Sequence, residues 1–198
     1  MQEADVLELL RSSDAILQGH FQLSSGLHSD TYIQCARLLQ YPDRAERLGG
    51  ALAKLFSEIG VDAVASPALG GILVGHEVAR ALGVRAVFAE RDEAAAAACR
   101  GRLALRRGFE VRAGERFLVV EDVWTTGSST LETIKVIEER GGKVVAAGAL
   151  VNRSAGSLEL PVPMRCLITI QAGTYRPEEC PLCRAGRPCT KPGSRPGG

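Results

Sequence analysis

The chain has no excess of charge of either sign. Its 24 basic residues against 23 acidic ones leave a net +1, so no global field draws it to nucleic acid or to an anionic membrane, and any anion site must be local. It also lacks an apolar run near the ~20 residues that a bilayer span needs. The opening residues MQEADVLELL are acidic and amphipathic, unlike a signal peptide, and a soluble, cytoplasmic protein is expected. Six cysteines in 198 residues are too few and too clustered for a disulfide scaffold. No internal repeat is visible. What is present is 45% hydrophobic residues, enough for the core of one domain with modest extensions.

Apolar spacing predicts a helix over residues 3 to 12, with 14 to 17 as an extension. From 19 to 34 the stretch GHFQLSSGLHSDTYIQ reads as short strands around a Ser-Ser-Gly turn. His20 and His28 fall here, and their spacing matches no metal motif, so they read as solvated loop histidines. Pro42 opens a helix to about Ile59, with Pro in the first turn where its missing N–H costs nothing. A strand over 61 to 66, a small-residue turn at 67 to 71, a helix to Leu82 and a strand over 84 to 89 follow. That alternation predicts an α/β protein with a central, mainly parallel sheet flanked by helices. Leu103 to Leu105 and Phe109 to Val111 look like a hairpin turning at Arg106-Arg107-Gly108, part of a mobile arm that begins with the alanine run 94 to 98. Further strands are expected at 143 to 151 and 164 to 170.

The most informative stretch is FLVVEDVWTTGSS, residues 117 to 129. A buried strand runs into two acids, Glu121 and Asp122, then into a turn of hydroxyls and glycine, then into a helix. Thr125, Thr126, Ser128 and Ser129 offer hydroxyl donors, Gly127 lets several N–H groups face one point, and the helix adds the positive end of its dipole. A phosphomonoester fits such a nest. A nucleoside triphosphate loop would need a lysine in the turn, and there is none. Carboxylates beside a phosphate repel it, so Glu121 and Asp122 are read as acceptors for sugar hydroxyls, with or without magnesium. The turn Ala68, Leu69, Gly70, Gly71 would let backbone amides approach a second anion.

This motif resembles the fingerprint of the type I phosphoribosyltransferases, which use phosphoribosyl pyrophosphate (PRPP), and the segment 19 to 34 is similar to the hood of the orotate-using branch. The resemblance covers roughly residues 15 to 155. It implies the type I fold with a small N-terminal hood over 1 to 40, a core over 41 to 174, a flexible hairpin arm, and a separate tail over 175 to 198. It implies that Glu121 and Asp122 hold the ribose hydroxyls, Thr125 to Ser129 the 5-phosphate, and Ala68 to Gly71 the pyrophosphate, in a loop where the family often strains a peptide. Arg153 would bind the carboxylate of orotate, with Ser24, Ser25, Tyr32 and Thr125 around the base. Arg91, Arg100 and Arg102, with Asp122, are the catalytic candidates. Mg2+ as cofactor, PRPP and orotate as substrates and a homodimer are implied in the same way, as is a place in pyrimidine synthesis.

The family's lysines of hood, pyrophosphate loop and mobile loop are replaced by Ser24, Gly70 and the alanine run. Arg100, Arg102, Arg106 and Arg107 are the available substitutes. A purine-type transferase and a PRPP-sensing regulator are the alternatives. In the tail, Cys180, Cys183 and Cys189 are three ligands where structural zinc wants four. They read as reduced thiols, a zinc site requiring Cys166 or a residue of a second subunit to complete it.

Overall fold

The computed structural model describes residues 1–23, 25–91, 101–154, 156 and 158–192. Ser24, Arg100 and the alanine run 94–98 lie outside the described residues. Helix α1 (Glu3–Ser12) is followed by the hood strands β1 (Ile16–Gln22) and β2 (His28–Ile33) and a one-turn helix α2 (Ala36–Leu39). The core runs α3 (Pro42–Lys54), β3 (Ala63–Pro67), α4 (Gly70–Leu82), β4 (Arg85–Arg91), β5 (Leu103–Leu105), β6 (Arg116–Trp124), α5 (Ser128–Glu138), β7 (Lys143–Asn152) and β8 (Met164–Thr169). The tail adds β9 (Thr174–Tyr175), a 3-10 turn Pro177–Glu179 and a short helix α6 (Pro181–Arg184).

The core sheet has the order β5-β4-β3-β6-β7-β8 and is parallel except for the β4–β5 pair. Phe117, Leu118, Val119 and Val120 on β6 are all fully buried because this strand is covered on both faces. Alternate side chains enter different cores: Leu118 and Val120 join Leu48, Leu52, Val74 and Val78 of α3 and α4, while Phe117 and Val119 join Ile134 and Ile137 of α5. Burying these four strand residues contributes about 6–12 kcal/mol as an upper estimate, so the position of β6 is strongly fixed.

Three expectations need correction. The first helix does not continue into 14 to 17: Asp14 has φ 50, which turns the chain, and Ile16 starts β1. The helix from Pro42 ends at Lys54 rather than near Ile59. Leu103 to Leu105 do not pair with Phe109 to Val111 but with β4, Arg91 opposite Leu103 and Ala89 opposite Leu105. The Arg107-Gly108 turn exists, with φ 56 and 73, yet it leads out of the sheet, and Phe109 packs edge-on against Phe88 at 5.1 Å.

The hood is a three-stranded sheet, β1-β2-β9, so the tail contributes a strand to it. His28 pairs with Tyr175 and Ser29 with Thr174. Residue 190 then runs beside β1, where Gln22 N–H donates to the Thr190 carbonyl at 2.8 Å and Thr190 N–H to the His20 carbonyl at 2.9 Å.

Candidate active site

Strand β6 carries the acid pair at its carboxyl end, and the chain then turns at residues 125–127 into α5. Gly127 has φ 71, and a Cβ there would lie 2.3 Å from Leu158 Cδ1, so a side chain would be strained and would have to displace Leu158. The eleven-residue helix α5 points its amino terminus into this turn, giving an electropositive end where the hydroxyls of Thr126 and Ser128 meet at 2.8 Å. A cavity of about 560 Å3 opens over the turn, lined by Thr125 to Ser129 and by Ser25, Glu121, Arg91, Arg102 and Glu132. Its size and donors suit a phosphate with part of a sugar.

Two residues unremarked in the sequence orient the first acid. Trp124, fully buried, donates from Nε1 to Thr130 Oγ1 at 2.9 Å, and Thr130 donates in turn to Glu121. Burial pushes the Glu121 carboxyl up to about 7 against that hydrogen bond, and the Asp122 charge adds to the rise. Burial also raises Asp122. Neither carboxylate forms an ion pair with any described residue.

The second turn abuts the first site. A Cβ on Gly70 would lie 2.7 and 2.8 Å from the two Asp122 carboxylate oxygens, so a side chain there would have to displace that carboxylate. The Ala68–Leu69 peptide is cis, and the Ala68 N–H donates to the Ala89 carbonyl at 2.7 Å. Leu69 is exposed.

On the far side of Thr125 lie two more cavities, of about 370 and 320 Å3. The larger has Tyr32, Asp122, Glu121 and Arg153 in its wall, and the smaller Ser25, Leu27, Thr125 and Arg153. Arg153 is only 5% exposed. Its Nη2 donates to Ser29 Oγ at 2.9 Å, but its Nε is buried and has no partner among the described residues. Burial lowers the guanidinium pKa, partly offset by Asp30 and Tyr32. Tyr32 is raised by burial and by Asp122, with Arg153 opposing.

The predicted basic residues distribute unevenly. Arg91 reaches the cavity over the 125–129 turn but is held by Glu132 of α5, at 2.6 and 3.3 Å, and by the Gly101 carbonyl at 3.0 Å. Arg102 lines the same cavity. Arg107 is turned away onto Glu90 at 2.9 and 3.0 Å. A cation that sequence reasoning missed, Lys191, lines the 370 Å3 cavity together with Pro192. Only the return of the tail to β1 brings it there.

His20 and His28 are not solvated loop residues. They are 4% and 7% exposed, their rings touch, and they face the tail cysteines. Cys166 stands apart from that group, on β8, packed against the cluster of Trp124, Ala147 and Ala149.

A parallel sheet with an acid pair and a hydroxyl turn at one strand end, facing a glycine turn on the next, defines a phosphosugar-binding α/β protein. The chain belongs to the phosphoribosyltransferase family: residues 34–174 match the model of the phosphoribosyl transferase domain. It is 48% identical over 195 residues to the orotate phosphoribosyltransferase of Caldanaerobacter subterraneus subsp. tengcongensis, covering 98% of this chain and 99% of the relative. The orotate phosphoribosyltransferase of Heliobacterium modesticaldum is 49% identical over 197 residues, with 98% and 100% covered. Among solved structures, the orotate phosphoribosyltransferase of Mycobacterium tuberculosis H37Rv superposes with a TM-score of 0.68 at 28% identity, over 85% of this chain and 96% of that one.

Proposed function

We infer that this chain is an enzyme that transfers the 5-phosphoribosyl group from PRPP to orotate, giving orotidine 5'-monophosphate and pyrophosphate in pyrimidine synthesis. The observation that carries this reading is the buried Arg153, which lines the cavities beside the acid pair and whose Nε has no partner among the described residues. A buried guanidinium short of one acceptor wants an anion, and the planar carboxylate of orotate matches its fork. A purine base carries no carboxylate and would leave that donor orphaned. The relatives named above point the same way.

In the reaction the bond from the anomeric carbon to a pyrophosphate oxygen breaks, a bond to the orotate ring nitrogen forms, and the proton of that nitrogen is released to the departing pyrophosphate or to water. Positive charge develops on the sugar and negative charge on the departing group. Thr125 to Ser129 and the α5 terminus hold the 5-phosphate, which fixes the sugar over the acid pair. Glu121, oriented by Thr130, and Asp122 accept from the ribose hydroxyls and place negative charge below the developing cation. Backbone amides at Gly70 and Gly71 face the pyrophosphate. Arg153 holds orotate by its carboxylate with the ring toward the sugar. An acid pair that no described residue neutralises also suits Mg2+, and Glu121 and Asp122 are the residues that would hold it. When bound, the ion supplies positive charge to the leaving pyrophosphate.

The proposal includes a homodimer, measurable by light scattering, and a cytoplasmic location. Among the described residues no helix is long and apolar enough to cross a membrane.

The test is to incubate the protein with Mg2+, PRPP and one base at a time, following base consumption and pyrophosphate release. Turnover with orotate alone is expected. Turnover with a purine would overturn the assignment, and PRPP binding without turnover on any base would identify a PRPP-sensing regulator instead.

A further inference from the structure

We propose that His20, His28, Cys180 and Cys183 form a tetrahedral site for a zinc ion, which clamps the tail onto the hood and holds Lys191 at the base-side cavity. The metal site does not depend on the assigned reaction; the role of Lys191 does.

The ligand atoms of these four residues all lie within 4.8 Å of one another. Zinc bonds of about 2.3 Å to sulfur and 2.0–2.1 Å to nitrogen require tetrahedral edges of about 3.6 Å between N and S and about 3.3 Å between two N. The observed edges are 3.6 Å from Cys180 Sγ to His20 Nε2, 3.7 Å from Cys183 Sγ to His20 Nε2 and 3.3 Å from Cys183 Sγ to His28 Nδ1. The two nitrogens stand at 2.9 Å. Opening the ring contacts by about 0.4 Å or less brings these four edges to the tetrahedral values, and the two remaining edges, from Cys180 to Cys183 and to His28, lie within 4.8 Å.

The second observation concerns protons. His20 Nδ1 lies 2.8 Å from the Arg187 carbonyl, which can only accept, so Nδ1 carries the hydrogen and Nε2 presents a lone pair to the cluster. A metal-binding imidazole is oriented in this way, its other nitrogen donating to a carbonyl. One proton shared between the histidines would explain their contact, but not the two thiols gathered on the same point. Cys189 Sγ lies 4.0 Å from the outer nitrogen of His28, where it supports the ring rather than completing the tetrahedron.

The third observation is what else holds the tail. From Arg176 to Lys191, Cys180 is the one fully buried side chain. Ordering so many backbone units is costly, and one buried sulfur with a few backbone bonds does not offset it. A metal cross-link between tail and hood does. Beyond the cluster the chain is stitched to β1 through Thr190, and the next residue, Lys191, stands in the wall of the cavity that holds Asp122, Tyr32 and Arg153. There its charge meets an anionic ligand, in a site where the pyrophosphate loop and hood lack a lysine.

The test is metal content of the full chain, purified under reductant and dialysed against metal-free buffer, with cobalt substitution read in the visible spectrum. One zinc per chain is expected, with the ligand-field and thiolate charge-transfer bands of tetrahedral cobalt. Cys183→Ser and His20→Gln should each weaken zinc retention about tenfold or more, and Cys166→Ser should leave it unchanged. Failure of the reduced protein to hold zinc, or retention unaffected by Cys183→Ser, would overturn the site. If the variants do not fold, cobalt spectra of the unmodified chain decide, since absence of the charge-transfer bands sinks the proposal. Lys191→Ala should raise the KM for orotate or PRPP in zinc-loaded protein but not in stripped protein; an equal effect in both would overturn the positioning role. Zinc held without orotate turnover sinks the reaction and keeps the site, while orotate turnover by a reduced chain that cannot retain zinc does the reverse.

Discussion

Arg153→Met is the sharpest probe of base recognition. Methionine keeps most of the volume of the arginine stem, so no large cavity opens, but it removes the charge and the donors. In the free protein the substitution should cost little. Arg153 as a residue is 5% exposed and burial disfavours its charged form, so its removal relieves a desolvation penalty that roughly balances the lost bond to Ser29. Ser29 retains its contacts to the Thr31 and Gly173 carbonyls at 2.9 and 2.7 Å. With substrate the balance changes. Two charge-assisted hydrogen bonds to a carboxylate are worth about 1.5–3 kcal/mol each, and the variant also leaves that carboxylate buried without a partner. A loss of about 3–5 kcal/mol corresponds to roughly 10^2 to 10^4 in kcat/KM for orotate. The affinity for PRPP, measured by calorimetry without base, should move by less than about threefold, because the proposed phosphate turn lies across Thr125 and Arg153 forms no ion pair with Glu121 or Asp122 among the described residues. Thermal unfolding should be within a few degrees of the parent. Equal losses for orotate and PRPP, or an orotate effect under about tenfold, would refute the carboxylate role.

Two further predictions come from the acid pair. Glu121 titrates near 7 in the folded chain against its ordinary 4.5, so between those values the folded state holds a proton that the unfolded state has released. Stability from this group is therefore greatest below about pH 4.5 and falls as pH rises through 7, a loss of roughly 3 kcal/mol. In magnesium-free buffer, Glu121→Gln should stabilise the protein at pH 8 and not at pH 5, by urea midpoint, while weakening PRPP binding; stabilisation at both pH values would exclude the linkage. Gly70→Ala brings a methyl group 2.7 Å from Asp122 Oδ1 and should push that carboxylate aside. Steady-state kinetics should show the KM for PRPP rising about tenfold or more at a stability cost of about 1–3 kcal/mol, and an unchanged KM would show that Asp122 does not touch the sugar.

What could be read from the sequence and what could not divide along physical lines. The strand Phe117–Val120 was legible because a strand covered on both faces must be apolar without alternation, and its helix because Gly127 and the hydroxyls mark a strand-to-helix turn. The residues of that motif, with Tyr32, Ser25 and Arg153, do surround adjoining cavities. The pairing of β5 was not legible, since Leu103 to Leu105 alternate equally well against either neighbour and only the edge of β4 decides it. His20 and His28 read as loop residues because their partners lie at 180 to 189, and no local spacing announces a contact across 160 residues. Two histidines on paired strands together with a CPLC sequence were the signal that could have found the cluster. Lys191 was hidden for the same reason. Arg91 was found, but the acid that holds it, Glu132, sits one turn into a helix whose exposed face looks ordinary.

The hood draws its strands from both ends of the sequence: His28 pairs with Tyr175, and His20 meets Arg187 across 167 residues. The α/β core between them closes mostly through neighbouring segments, whereas the hood must close a loop spanning nearly the whole chain, with its larger entropic cost. During synthesis the core can therefore fold while β1 and β2 still wait for their third strand. The phosphate and ribose contacts of β6 and α5 would exist before the base side does. A nascent or tail-clipped molecule is then expected to grip the sugar phosphate without a finished place for the base, so base selectivity is the last property this polypeptide acquires.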